Sequence, residues 1–480
     1  MKRKIRKIAA LALSVVLVMG CMSGCTSEKG TNGTKGTNGG AASGSGTASS
    51  SGKKTFEDLG GMDILIGDWY TEEIDGEKTE YQQAQLDYYK EIQDTYNFTI
   101  KRESAYAYEG MQAKFVNDVM ANNPTCQIYC LYQETVSAPL MKGLMRDLSK
   151  LPEFDFKEEK WNPTVTELMT IGDGIWGMSV EREPRGGIFY NKRLLKEAGI
   201  PEEEPYDLQA SNQWTWEKFE EYCKKLTKDT DGDGKTDQYA MASFSKYYLP
   251  MCAATNDATF IDRQEDGKYK SAIETQNFKD AMIWGIDMMK KGYVMPKPQN
   301  ASAWDWYKAA FRDGEVAMQT SETYEITSFA DMKDDWGFVM FPYNQKNKNA
   351  TNKTIPNDNI FVMPSCYDDA TAEKIAFAFD LYTEPLDGFS ADEAYCEQYY
   401  SRFRDDRAVD ETLMMMKDKE HKQTSYLPMI TNMDLGEYCY GVYALAETPS
   451  KKIEQLSSKW EQKVAKVNEE YEKFAKEHQK

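Results

Sequence analysis

The stretch "KDTDGDGKTDQYA", residues 228–240, sets four aspartates at near-alternate positions: Asp229, Asp231, Asp233 and Asp237. Gly232 and Gly234 interrupt them. So many like charges repel one another unless a cation gathers them. Hard cations such as calcium take about six to eight oxygen ligands. The loop pattern D-x-D-x-D-G presents carboxylates at positions 1, 3 and 5, a sharp glycine turn at 6, a backbone carbonyl at 7 and a further oxygen at 9. With Asp229 as position 1, these fall on Asp231, Asp233, Gly234, Lys235 and Asp237. Position 12, which in an EF-hand is a bidentate Glu, is Ala240. The spacing predicts a calcium loop held by Asp229, Asp231, Asp233, the Lys235 carbonyl and Asp237, its shell completed by water or another part of the chain. The missing bidentate ligand favours a static, structural ion over a switching sensor. The alternative is a solvated acidic turn.

Other chemistries are restricted by residue type. The 480 residues include only two histidines, His421 and His478. That removes an H-E-x-x-H metalloprotease site and leaves little room for a Ser-His-Asp triad. Carboxylate-pair chemistry of the glycosidase kind stays open, but 78 acidic residues single out no pair. The formal net charge of −20 and the absence of a basic face argue against nucleic acid as a partner. "IGDGIWGMSV", 171–180, contains G-x-G-x-x-G at Gly172, Gly174 and Gly177. A dinucleotide site needs a helix after that turn, whereas "IWGMSV" is extended and β-rich, so a hairpin is expected instead. Aromatic side chains make up 12% of the chain, with 30 Tyr and 10 Trp. They offer flat apolar faces with polar tips, suited to amphipathic ligands, although most must fill the core.

The first 25 residues stand apart from the fold. "MKRKIRK" is a basic leader and "IAALALSVVLVMG" an apolar run too short to span a bilayer. "CMSGC" comes next and resembles a bacterial lipobox, in which a lipidated Cys becomes the mature N-terminus. "MSGC" favours Cys25; "VMGC" offers Cys21 as the alternative, and plain secretion without lipid is a third reading. Residues 26–55 form a Gly/Ser/Thr tether without an apolar anchor. Its flexible reach is roughly 30 Å, enough to lift a globular body off a membrane. Beyond Cys21 and Cys25, seven scattered cysteines remain, an odd set that is no disulfide framework.

The elements that position these residues alternate. "MDILIGDWY" (62–70) reads as a buried strand ending in a loop, 82–96 as a helix, 97–103 as a strand, 109–123 as a helix and 127–134 as a strand. A strand–helix unit recurs at 186–201 and a helix, tight turn and strand at 305–326, with helices at 215–228, 278–296, 370–384 and 450–477 and strands at 336–342 and 357–365. Alternation of this kind means an α/β layered fold.

In this order the pieces resemble the bacterial extracellular solute-binding proteins of carbohydrate ABC transporters, the maltodextrin-binding type (family 1). The landmarks are "GGIFYNKRLLKEAGIP…WTWEKFEEYCKKLT" and "AFRDGEVAMQTSETY…WGFVMFP". Cys126-Gln127 departs from the family's usual Pro-Asp before the third strand. The resemblance implies a two-lobed periplasmic-binding-protein-like fold of type II, its lobes joined by crossing hinge segments. Lobe 1 would hold 56–180 plus 318–355, and lobe 2 would hold 181–317 plus 356–480. It implies a non-enzymatic monomer that captures a sugar or oligosaccharide in the inter-lobe cleft and delivers it to ABC permease transmembrane subunits. It also implies a lipid anchor at Cys25 on the extracellular face of a Gram-positive-type membrane, and places the calcium loop in one lobe as a structural rivet. Carried over by motif, the cleft residues are Asp68, Trp69, Tyr132, Glu134, Glu181, Glu322 and Tyr324. Each has a plainer reading: Trp69, Tyr132 and Tyr324 as packing, Glu134 and Glu181 as solvated surface. Trp304 and Trp306 could line the cleft or pack a helix. Two other functions stay open: a secreted calcium-dependent glycoside hydrolase or lyase, and a binder of a non-sugar solute.

Overall fold

Ile64 and Ile66, two apart in "MDILIGD", share the face that a strand turns to a core, and the computed structural model, which describes residues 55–71 and 78–478, buries both and makes this strand an inner member of a sheet. In chain order the strands are β1 (Met62–Asp68), β2 (Phe98–Ser104), β3 (Ile128–Leu131), β4 (Thr170–Ile171), β5 (Gly174–Ile175), β6 (Gly186–Asn191), β7 (Tyr239–Ser243), β8 (Ile261–Arg263), β9 (Tyr269–Ser271), β10 (Val316–Glu322), β11 (Trp336–Val339) and β12 (Ile360–Val362). The expected leader, lipobox and nearly all of the tether lie outside the described residues.

The first sheet has the order β12-β3-β1-β2. β1 runs parallel to β2 and to β3, and β12 closes the edge antiparallel to β3. The helix Glu80–Tyr96 connects β1 and β2. A capping box starts it, with Thr79 and Gln82 satisfying each other's backbone N–H groups, and the left-handed Asn97 ends it. The helix Met111–Met120 buries Met111, Phe115 and Val119, a stripe at four-residue spacing.

The second sheet has the order β11-β6-β10-β7. β10 lies antiparallel to β6 and parallel to β7, and every residue of β6, β10 and β11 is buried. Such continuous burial belongs to strands covered on both faces. Phe189 of β6 gathers Phe311, Phe329, Trp336 and Phe338 around it, with ring centroids 4.6–6.5 Å away.

These pairings correct the expected lobe boundaries. The segment 318–355, expected in the first lobe, carries β10 and β11, which complete the second sheet. The segment from 356, expected in the second lobe, carries β12, which completes the first. The helix Asp369–Tyr382 likewise packs Ile375, Ala376 and Phe379 into the core that holds Ile64 and Ile66. The chain therefore crosses outward near residues 180–185 and returns before β12. After Tyr382 it crosses again: Phe403 packs on Trp336 and Phe338 of the second sheet. The helix Pro449–His478 then touches both sides, through Trp460 on Phe260 and Phe474 on Trp176.

The glycine-rich stretch forms the expected hairpin, β4 against β5, with Gly172 at φ 60° in its turn. The seven cysteines are free; six are buried and Cys366 is half-buried.

Gly187 shows how tightly the second sheet is closed. A Cβ there would sit 2.5 Å from the Phe338 ring and 2.8 Å from the Val339 carbonyl oxygen. Neither the ring nor the backbone can retreat without disturbing the core. Gly187→Ala is therefore expected to lower stability by about 1–3 kcal/mol, read as an earlier urea midpoint with an unchanged slope. A midpoint equal to that of the parent protein would contradict this packing.

Candidate functional site

Parallel strands deliver their carboxyl ends to one side of a sheet, and in open α/β sheets that is where ligands collect. Here β1 and β3 of the first sheet and β7 and β10 of the second all end at one cavity of about 1180 Å³ between the two sheets. β1 leads into Trp69 and Tyr70, β3 into Tyr132, Gln133 and Glu134, β7 into Phe244, Lys246 and Tyr247, and β10 into Glu322 and Tyr324.

Aromatic rings form both walls. On the first-sheet side Trp69 meets Tyr70 and Tyr108 edge-on at 5.1 and 5.8 Å, and Tyr108 meets Tyr132 at 5.6 Å. Across the cavity Phe244 meets Tyr247 and Trp304, each at 5.4 Å, while Tyr247 and Tyr324 join hydroxyls at 2.8 Å. Among the described residues, nine large apolar side chains are exposed; Tyr70, Tyr108, Trp304 and Tyr324 line this cavity, and Tyr440 sits beside Phe244 and Lys246 at its edge. Exposed aromatic surface concentrated in one concavity marks a binding site.

Five of the seven residues expected in the cleft line it: Trp69, Tyr132, Glu134, Glu322 and Tyr324. Asp68 and Glu181, expected to take ligand hydroxyls, do not line it and instead meet Arg102. Asp68 is fully buried. One of its oxygens accepts the N–H groups of Tyr70 and Thr71, and the other accepts Arg102 Nε at 2.6 Å. Glu181 accepts Arg102 Nη1 at 2.6 Å and the Tyr70 hydroxyl at 2.9 Å. Trp304 lines the cavity and Trp306 packs on the core. The residues that sequence reasoning did not name include Tyr70, Tyr108, Arg185, Lys246, Tyr247 and Asn357. Arg185 and Glu183 were visible as charges flanking the "GGIFYN" strand; Lys246 and Tyr247 lie on the helix Ser245–Ala254, which had no legible period.

The acidic loop lies elsewhere. It precedes β7, whereas the cavity lies past the end of β7, a separation of roughly 15 Å along five residues of strand. Carboxylate oxygens of Asp229, Asp231 and Asp237 come within 4.8 Å of one another. The Asp233 carboxylate is not among them and accepts the Lys235 N–H at 2.8 Å. Gly232 and Gly234 adopt φ of 80° and 88°, and bonds between Lys228 and Gln238 close the loop's neck. Ala240, at position 12, is buried in β7 and offers no side-chain oxygen. An all-oxygen donor set of this kind fits a hard cation. A second acidic group, Glu158, Asp380 and Glu384, already surrounds the ammonium of Lys160, which lies 2.8 Å from Asp380 and 2.6 Å from Glu384.

Residues 87–382 match the family described as bacterial extracellular solute-binding protein, and the chain belongs to that family. No curated protein matches it. Among solved structures it is similar to a cyclic alpha-maltosyl-1,6-maltose binding protein from Arthrobacter globiformis, at 17% identity and a TM-score of 0.60, covering 85% of this chain and 99% of that one. It is also similar to RafE from Streptococcus pneumoniae, at 14% identity and a TM-score of 0.57 over 84% and 98% of the two chains. A third is an ABC substrate-binding protein from Listeria monocytogenes in complex with cycloalternan, at 16% identity and a TM-score of 0.54 over 85% and 98%. At these identities the likeness is one of fold, the two-lobed solute-binding fold.

The buried charge at the centre of the cavity is paired. Arg185 is almost wholly buried and reaches Glu183 at 2.5 Å and Glu322 at 3.5 Å, with its guanidinium over the Tyr324 ring. Burial opposes its charge, but the two carboxylates outweigh burial and hold it protonated. Lys246 bonds Asp434 at 2.9 Å. Glu134 stands open to the cleft, yet the surrounding protein lifts its carboxyl above the usual range, against the pull of Lys246. Glu322 is pushed up to about 7, chiefly by burial and only partly offset by Arg185.

The Glu322 shift has a stability consequence of definite sign. Its unfolded value is 4.5, so between about pH 4.5 and 7 the folded state holds more protons than the unfolded one. Stability from this group is greatest below that window and falls as pH rises through 7, by at most about 3 kcal/mol. Glu322→Gln is expected to remove this slope, so that the variant gains in Tm relative to the parent between pH 5 and 8. A constant Tm difference across that range would show that Glu322 does not titrate there.

Proposed function

We propose that the chain is the substrate-binding component of an ABC importer, a monomer that captures an uncharged sugar or oligosaccharide between its lobes and presents it to permease transmembrane subunits. The observation that carries this reading is the pairing of two aromatic walls with short-range acid–base pairs in one inter-lobe cavity. A pyranose has apolar C–H faces and a rim of hydroxyls. The walls suit the faces, and Glu134, Glu183, Glu322 and Asn357 suit the rim. A hydrated ligand drawn out of water needs its hydrogen bonds replaced, and bonds to charged groups are the stronger kind. The buried cation of the cavity, Arg185, has acids of its own, so a neutral ligand leaves that charge compensated. The named ligands of the fold's relatives, a cyclic maltosyl-maltose and cycloalternan, are saccharides, which supports the same class here.

The test is a panel of neutral oligosaccharides with calorimetry, small-angle scattering and product analysis on each. One or more should bind with compaction of the protein and no hydrolysis. Glu134→Ala should weaken that binding by about 1.5–3 kcal/mol. Product formation, or binding confined to charged solutes, would overturn the reading.

We further propose that the acidic loop holds one structural calcium through Asp229, Asp231, Asp237 and the Lys235 carbonyl, with Asp233 turning inward on binding. Binding to the folded state alone raises stability. Chelation should lower Tm, Asp229→Asn should abolish that response, and saccharide affinity should barely change. Equal Tm with calcium and with chelator would remove the ion from the account.

At the other end of the chain, the lipobox reading makes Cys25 the diacylated N-terminus, anchoring the protein outside the membrane. Among the described residues no helix is long and apolar enough to cross one. Cys25→Ser should release the protein into the medium while Cys21→Ser leaves it bound. The reverse pattern would move the anchor to Cys21.

A further inference from the structure

One half-buried cation beneath the cleft joins more of the chain than any role so far explains. Arg102 stands on β2, at the edge of the first sheet. Its Nε donates to Asp68 at 2.6 Å, its Nη1 to Glu181 at 2.6 Å and its Nη2 to the Tyr70 hydroxyl. The same guanidinium lies 5.0 Å from the Tyr70 ring centroid and 5.1 Å from that of Phe361 on β12. The Tyr70 hydroxyl in turn donates to the second Glu181 oxygen at 2.9 Å.

The partners come from different parts of the fold. Asp68 ends β1, and Tyr70 stands in the loop that lines the cavity. Glu181 opens the segment by which the chain leaves the first lobe, and Phe361 lies on the strand by which it returns. Arg102, Asp68 and Glu181 do not line the cavity, while Tyr70 and Trp69 do. A planar fork of fixed donors can hold three oxygens in one geometry, which a lysine cannot. Tyr70 is an exposed ring, and a ring of that kind left to itself samples rotamers that a ligand would have to freeze.

We propose that Arg102 is a positioning residue of the binding wall: it locks Tyr70, and through their edge contact Trp69, to the crossing segment at Glu181, so that the first-lobe aromatic wall is formed before any ligand arrives. The role in affinity rests on the saccharide reading above; the preformed wall does not. Carboxylate and ring reinforce each other here. Glu181 holds both the guanidinium and the hydroxyl, so loss of any one bond loosens the other two. The segment that must bend when lobes close is thereby tied to the side chains a ligand would touch.

Two measurements test this, one without ligand. In each protein the Trp69 contribution to the near-ultraviolet circular dichroism is taken as the difference from its Trp69→Phe counterpart. It should fall by half or more in Glu181→Gln and in Arg102→Lys, while the urea midpoint of Glu181→Gln stays close to the parent's. Glu181→Gln guards against the case in which Arg102→Lys fails to fold. With a bound neutral oligosaccharide, Glu181→Gln and Tyr70→Phe should each raise Kd about 3- to 10-fold, and the double variant should be no weaker than the worse single. An intact Trp69 signal in both charge variants, or effects on Kd that multiply, would overturn the proposal. If the parent binds no saccharide of the panel, the functional reading fails and the dichroism arm still decides this one.

Discussion

The pairing of β12 with β3 is the contact on which the arrangement depends. Ile360 faces Leu131 and Val362 faces Tyr129 across an antiparallel edge, although more than two hundred residues separate them in the chain. The first sheet stays open on that side until the chain has built the second sheet and come back. The first sheet is thus unfinished until the chain has passed through the second, and the segments that cross between them are obligatory. Crossing segments at the carboxyl ends of the strands leave a gap there, and the gap is the cavity. Non-local pairing of this kind carries a loop-closure cost that is met only when both sheets exist, so a cooperative body with an internal cleft follows from the topology.

Local features of this fold were legible in the sequence and distant ones were not. Helices and strands announced themselves through period and glycines, as with the turn at Gly172. The acidic loop was legible for the same reason: all its oxygens lie within a few residues of each other. Strand partners were not legible, because nothing local in β10 or β12 says which sheet each joins. Hence the exchanged lobe boundaries. The helix Ser245–Ala254 was missed because eight of its ten residues are buried and it contains Pro250, so it shows no amphipathic period.

The cleft was half legible. Trp69, Tyr132, Glu134, Glu322 and Tyr324 sit where strand ends predicted, since a strand's end fixes where its next residues point. Asp68 at a strand end and Glu181 in the crossing segment have the same side-chain chemistry, yet face a guanidinium instead of solvent. Their partner, Arg102, lies inside "TIKRES" on the same strand face as the buried Phe98 and Ile100, but nothing local says which carboxylates that face meets. A carboxylate at a strand end is therefore ambiguous until the sheet order is known. Once β2 is placed next to β1, Arg102 stands within reach of Asp68 and the ambiguity disappears.

The distribution of charge in the cavity has the same logic as its location. A net-acidic chain could have lined its cleft with free carboxylates, which would repel one another and attract any cation. Instead Arg185 draws Glu183 and Glu322 toward itself, and Lys246 holds Asp434. At Glu322 burial outweighs the pull of Arg185 and lifts the carboxyl to about 7. A group poised there can accept a hydroxyl hydrogen when ionised and donate one when protonated, which suits a polyol whose hydroxyls do both. Placing it on β10, between the ring of Tyr324 and the amide of Asn357, puts that adaptable oxygen beside a flat apolar face. Those are the two surfaces a sugar presents at once.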